Sequence, residues 1–316
     1  MSTKNTQQGA SDQGQSGSPR RRLPSRASPE SRKRQVDFVP TQLLKSAIAA
    51  QVVGLFKDQS RREKPVTRRT DGLFGPHSVA WRVHGDVTSM LVGGIAALLL
   101  QMLHPAVLAG VWDHSKFQTD LHGRLRRTAR FIALATYGGR AEAETAIARV
   151  RRIHESVQGL LANGTAYSAN DPSLLAWVHV TEAMSFLGAW IRYAEPTMSA
   201  ADQDRYFTEV ARIASALGAN PVPQSRAEAD EVVQLMKPYL LCDGRTRQIA
   251  RLVLTEPAPS IMLEPLRLIT TQAALELMLG AGSVSTRHGM SEPSLDRWLV
   301  RASAFGVAQT LRWVFR

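Results

Sequence analysis

Three observations predict an all-α fold. Apolar residues recur at helical spacing along most of the chain, Gly, Pro and Asn interrupt those runs at helix-length intervals, and alternation of apolar with polar residues is nearly absent. With 316 residues, 44% of them hydrophobic, the chain can bury a substantial core. A single cysteine, Cys242, excludes a disulfide framework and any zinc site built on paired thiolates, so a metal would have to be held by His, carboxylate or a cofactor.

The formal charge of +12 is concentrated at one end. Met1 to Arg69 carries about 15 basic against about 5 acidic residues, and the remainder is close to balance. A basic arm on a neutral body argues against a specific nucleic-acid reader. Residues 1–36, rich in Ser, Gln, Gly, Pro and Arg, cannot offset the entropy of ordering and are expected to form a disordered basic tail. The Arg20-Arg21-Arg22 run lacks the apolar stretch of an export signal, because Pro24 and Arg26 follow it. We therefore expect a cytoplasmic protein, with weak peripheral membrane contact available to the basic region.

Within 37–70, Leu44, Ile48, Val52 and Phe56 predict an amphipathic helix over Thr41–Lys57, packed on the body or laid on a membrane, followed by a linker. The body is 71–316. It begins with an uncharged run, Val87–Trp112, long enough to weigh as a membrane span. Gly93-Gly94, Gln101 and His104-Pro105 interrupt it and acidic residues flank it, so we read a buried core helix ending near the His-Pro step. Further helices are expected over 124–137, 141–161, 172–193 (opened by Asp171-Pro172), 199–217, 227–235, 246–254, 264–279 and 295–315.

Three positions invite chemistry. His154 fills the vacant place in an apolar stripe of Ile147, Val150, Val157 and Leu161, so it points inward, as a packed core residue or a ligand. Arg151 lies one turn earlier on nearly the same face, and a buried cation there would need an anion such as a cofactor carboxylate. Arg124 and Thr128, four apart, share a helical face, either as a solvated basic helix start or as part of a site. His179 and Glu182 sit in a helix apolar on nearly every side, as a structural hydrogen-bonded pair or as support for a site. Sharper motifs fail: Gln158 stands where a zinc protease needs its second His, no His follows a Glu at three residues, and neither a phosphate loop nor a Gly-x-Ser-x-Gly elbow occurs.

DGLFGPHSVAWRVHGD (Asp71–Asp86), LLLQMLHPAVLAGVWDHS (Leu98–Ser115), GRLRRTARFI (Gly123–Ile132), RVRRIHESVQG (Arg149–Gly159) and WVHVTEAMSF (Trp177–Phe186) resemble the oxygenase family that contains latex clearing protein and the farnesyl-cleaving oxygenase of mycophenolic acid biosynthesis. The resemblance implies a multi-helix bundle with a globin-like core that binds haem b and acts with dioxygen on a small lipophilic, isoprenoid or other olefinic, substrate. By position it implies His154 as proximal ligand of the haem iron, Arg151 one turn before it, Arg124 and Thr128 as the distal pair, and Arg127 where latex clearing protein has lysine. His179 falls in a block shared with bacterial relatives of unknown substrate and is carried over as a cofactor-binding residue. No glutamate stands between Val66 and Tyr137, where latex clearing protein has its distal base; Asp113 and Asp120 are the nearest carboxylates before Arg124. A non-catalytic haem sensor or carrier, and a cofactor-free helical scaffold recruited by its tail, are the competing readings. Removing Met1–Arg34 is expected to leave the melting temperature almost unchanged, because that segment buries little; a large drop in a thermal melt would show that it packs on the body.

Overall fold

The structure is a computed structural model that describes residues 41–43, 45–51, 54, 64–280 and 297–315. The tail expected over 1–36 lies outside the described residues. The chain divides into two units, Met1–Leu44 and Lys45–Arg316. Of the first only residues 41–43, which are helical, are described; everything below concerns the second.

That unit is all-α apart from one small hairpin. After α1 (residues 45–51) come α2 (Val79–His84), α3 (Val87–Gln101), α4 (Pro105–His114), α5 (Leu121–Tyr137) and α6 (Arg140–Glu155). The hairpin β1 (Gln158–Leu160) and β2 (Ala166–Ser168) leads into α7 (Pro172–Tyr193), α8 (Ala200–Leu217), α9 (Arg226–Met236), α10 (Gly244–Thr255), α11 (Glu264–Gly280) and α12 (Arg297–Phe315). On α1, Ile48 packs against Leu263 and Leu311, so this part of the amphipathic helix lies on the body; Leu44, Val52 and Phe56 lie outside the described residues.

The helix ends follow side-chain chemistry. Asp86 accepts from the Ser89 N–H at 2.9 Å to start α3, and Asp171 accepts from the Ser173 N–H at 2.8 Å to start α7, with Pro172 at the first position. Gly218, at φ +98°, closes α8 in a left-handed conformation that a residue without Cβ adopts freely. His104 caps α4 through Nδ1, which accepts from the Ala106 N–H at 3.3 Å, and Pro105 opens that helix. The uncharged run thus turns by 104° at the His-Pro step. Among the described residues α7 alone is long and apolar enough by itself to cross a membrane, and most of it is buried in the protein.

One expectation is corrected here. The helix read as 141–161 ends at Glu155, and Val157 and Leu161 leave the stripe that was to hold His154. The hairpin pairs Gly159 with Tyr167, and a Cβ on Gly159 would lie 2.9 Å from the Tyr167 hydroxyl oxygen, so the missing side chain admits the ring. β-Branched Val157 and Gly159 weaken the helix where the hairpin competes with it.

The fold is organised by α3 against α7. A Cβ on Gly93 would sit 2.7 Å from Phe186 Cδ1 and 2.8 Å from its Cα, so the two helices touch with backbone against side chain. One apolar cluster, including Leu99, Met102, Ile249, Ala273, Met278 and Val300, brings α10, α11 and α12 onto this pair. Another, including Val83, Trp177, Phe186, Tyr206, Phe207 and Val232, brings α2, α8 and α9 onto it. Two buried carboxylates fasten α12. Glu276, 2% exposed, accepts from Arg192 and, at 2.7 Å, from Arg301 Nη2. Asp86 accepts from Arg312 Nε at 2.8 Å.

Gly93→Ala is expected to destabilise the protein by about 1–3 kcal/mol, because Phe186 blocks the new methyl with its backbone as well as its ring. Gly94→Ala, whose Cβ would meet only Phe186 Cε1 at 3.8 Å, should be neutral or stabilising by up to about 1 kcal/mol through helix propensity. Chemical denaturation of both variants checks the contrast; equal effects would refute the close approach.

Candidate functional site

Helix α5 begins where Asp120 accepts from the Gly123 N–H at 2.8 Å. One turn in, the Arg124 guanidinium lies 5.6 Å from the centre of the Phe117 ring, and among the described residues it has no carboxylate partner. Burial first, and the neighbouring Arg127 charge second, bring its pKa down to about 10. Arg127 itself turns outward to Asp120 at 3.2 Å, where both groups are exposed. Thr128 is exposed as well. The Arg-x-x-Arg-Thr spacing therefore holds on the helix, but only Arg124 is taken into the interior.

His154 closes the last turn of α6, half-buried, with Nδ1 sealed from solvent and unpartnered. Burial lowers its pKa and the positive charge of Arg124 lowers it further, so the imidazole is neutral at neutral pH. The buried cation argued for beside His154 exists, but it is Arg124 from α5. Arg151, expected to be buried, is exposed, and its carbonyl accepts from Asn170 Nδ2 at 3.3 Å. Three residues do not close a helical turn, and a long arginine side chain on the rim of a face reaches water.

The second group gathers on α7. His179 keeps Nε2 buried without a partner, and burial lowers its pKa to about 4. Glu182, one turn on, is pushed up to about 7 by burial, partly offset by the Gln101 amide from α3. Burial first, and the Glu182 charge after it, raise Tyr206 on α8. The Tyr206 hydroxyl lies 2.8 Å from His84 Nε2, and His84 Nδ1 lies 2.9 Å from Thr136 Oγ1. Burial also lowers His84 to about 4. His84, Arg124, His179 and Glu182 each keep part of their surface open although burial governs their titration. They are deeply set without being packed solidly.

The structure thus brings the Arg124 charge to His154, while His179 and Glu182 share a face of α7. Among the described residues no ion pair, hydrogen bond or charge effect joins the two groups. Asp113 and Asp120, the carboxylates nearest Arg124 in sequence, are engaged by the Tyr167 hydroxyl (3.2 Å) and by Arg127. Gln101, Tyr206, His84 and Thr136 were not singled out from sequence. Their signal is weak, since none stands at a spacing that marks chemistry, and only the fold joins Thr136, His84 and Tyr206 in series and brings Gln101 to Glu182.

The family model described as the ER-bound oxygenase mpaB/B' and rubber oxygenase catalytic domain matches residues 81–313. The chain belongs to this oxygenase family. No curated protein and no solved structure gives a match. Every site residue named above lies within the matched span of the oxygenase.

Protonation of Glu182 makes the protein's stability pH-dependent. A carboxyl at 4.5 in the unfolded chain and about 7 in the folded one stabilises fully below 4.5, and the contribution is lost as pH rises through about 7. His84 and His179 act oppositely, their contribution being lost as pH falls from 6.5 towards about 4. Glu182→Gln should therefore gain on the wild type by up to about 3 kcal/mol as pH rises across the Glu182 window. Denaturant titrations at the two ends of that window test this, and a difference independent of pH would contradict it.

Proposed function

We propose that the protein is a haem b-dependent oxygenase acting with dioxygen on a small lipophilic substrate, isoprenoid or otherwise olefinic. One observation carries this reading: a buried arginine without a carboxylate beside a histidine held neutral, with a buried nitrogen left unpartnered.

The residues fit the group. Among the described residues no cluster of three or more His, Cys, Asp or Glu could hold a metal ion, so iron held through His154 needs the ring nitrogens of a porphyrin for its remaining ligands. When bound, haem supplies the iron chemistry that lets dioxygen react. The chain supplies the surroundings. Burial and the Arg124 charge keep His154 unprotonated, which leaves its lone pair available near neutral pH. Arg124, placed in a poorly solvated position at its own desolvation cost, stabilises negative charge that develops on the reacting oxygen. Thr128 is assigned as a hydrogen-bond donor, and the exposed cations Arg127 and Arg151 as partners for the carboxylates of the cofactor. His179 tunes the site without holding the iron. Half-buried Ile95 and Leu100 on α3 and the Trp177 helix offer the apolar surface that a lipophilic substrate needs. The protein is placed in the cytoplasm, with its basic N-terminal region weakly attracted to anionic membrane.

Protein purified from haem-supplied cells is expected to show a Soret band at about one haem per chain, non-covalently held because no Cys-x-x-Cys-His occurs. His154→Ala should lose it, with partial rescue by imidazole, whereas His179→Ala should keep it with an altered position. Arg124→Ala should keep haem and lose olefin-dependent oxygen consumption by roughly two to three orders of magnitude. A folded protein without a Soret band after haem reconstitution sinks the assignment, and haem loss in His179→Ala with retention in His154→Ala reverses the two histidines.

A further inference from the structure

The polar groups around the middle of α7 are not used by the chemistry assigned to Arg124 and His154. His179 and Glu182 are three residues apart and so share a face of the helix. A buried ring nitrogen without a partner, as at His179 Nε2, costs about 1–3 kcal/mol, and a native core retains such a group where a ligand or an ordered water completes it. The Gln101 side chain serves Glu182, and its bond to the Val178 carbonyl, at 3.5 Å, is weak. Tyr206 and Thr136 are fully buried, and a hydrogen-bonded chain from Thr136 through His84 holds the Tyr206 phenol, which lies within reach of the Glu182 charge.

No cation neutralises Glu182 among the described residues. On α8, Glu209 is turned to the Ala80 N–H at 2.8 Å and to Arg205 at 3.0 Å. On α2, Arg82 is taken by Asp202 at 2.7 Å and Glu195 at 3.4 Å. On α11, Glu276 is taken by Arg192 and Arg301. From α3 only the uncharged Gln101 amide faces it. A carboxyl in such a place is an acid that keeps its proton near neutral pH and can give it up in a dry site.

We propose that Glu182 is the proton-carrying carboxyl of the polar cluster on α7, faced by Gln101 from α3, and that His179, on the same face of the helix, presents Nε2 to the same bound ligand. The step moves one proton: the O–H bond at Glu182 breaks as an O–H bond forms on a ligand oxygen, and the carboxylate regains a proton from water that enters with the next ligand. Its link to turnover rests on the haem reading, but the proton on Glu182 does not.

Infrared spectroscopy of the full-length protein, loaded with haem as the ferrous carbon monoxide complex, reads both. The carboxylic C=O band should fade as pH rises through about 7, be absent in Glu182→Gln and return, displaced, in Glu182→Asp. The C–O stretch of bound carbon monoxide should titrate with the same midpoint in the wild type, stay flat in Glu182→Gln, and be displaced at every pH in His179→Ala. Persistence of the carboxylic band in Glu182→Gln, or an unchanged carbon monoxide titration in that variant, overturns the proposal. Failure to take up haem overturns the haem assignment instead, and the carboxylic band of the same sample then decides whether Glu182 holds the proton.

Discussion

Two helices that approach to the limit of a missing side chain set the frame of this molecule. At Gly93 the α3 backbone has room for Phe186 and nothing else, so the pair cannot slide or rotate without a clash. Each flank then offers a fixed apolar face, one for α10 to α12 and the other for α2, α8 and α9. Because the pair is fixed, Gln101 on α3 and Glu182 on α7 meet in a set register. The polar groups of the interior owe their positions to an apolar contact.

Away from the ion pairs that fasten α12, the titratable groups of the site are held in their neutral forms. His84, His154 and His179 are all displaced downward by desolvation, and Glu182 upward by the same cause. Arg124 is the exception, since even a pKa brought down to about 10 leaves it charged at neutral pH. A cation without a carboxylate in a medium of low polarity projects its field further than a paired one would, and the field of Arg124 reaches His154.

Much of the fold was legible in the sequence because its helices carry their own punctuation. Asp171-Pro172, Gly138-Gly139, Gly218 and His104-Pro105 fix ends by chemistry that operates within a few residues. Where the decision depends on contacts distant in sequence, local reading failed. The strand at 158–160 looks like helix until Tyr167 is known to lie over Gly159. Within the site, the inward aim of His154 was readable from spacing, whereas the identity of its cationic neighbour was not, because Arg124 arrives from another helix. The grouping of Tyr206 and His84 with Glu182 has no local signature, since it joins residues from three separate segments.

The buried carboxylate of Glu276 has a consequence for the order in which the chain is made. Its two arginines lie 84 residues before it and 25 after it. As the polypeptide leaves the ribosome, Glu276 emerges with one cation already available and the other still inside the exit tunnel. Sealing this carboxylate with incomplete neutralisation would cost several kcal/mol, so the last stage of core closure is deferred until α12 has emerged. A chain ending before Arg301 would keep a carboxylate that it cannot bury without that cost, and with it an open apolar face on α11.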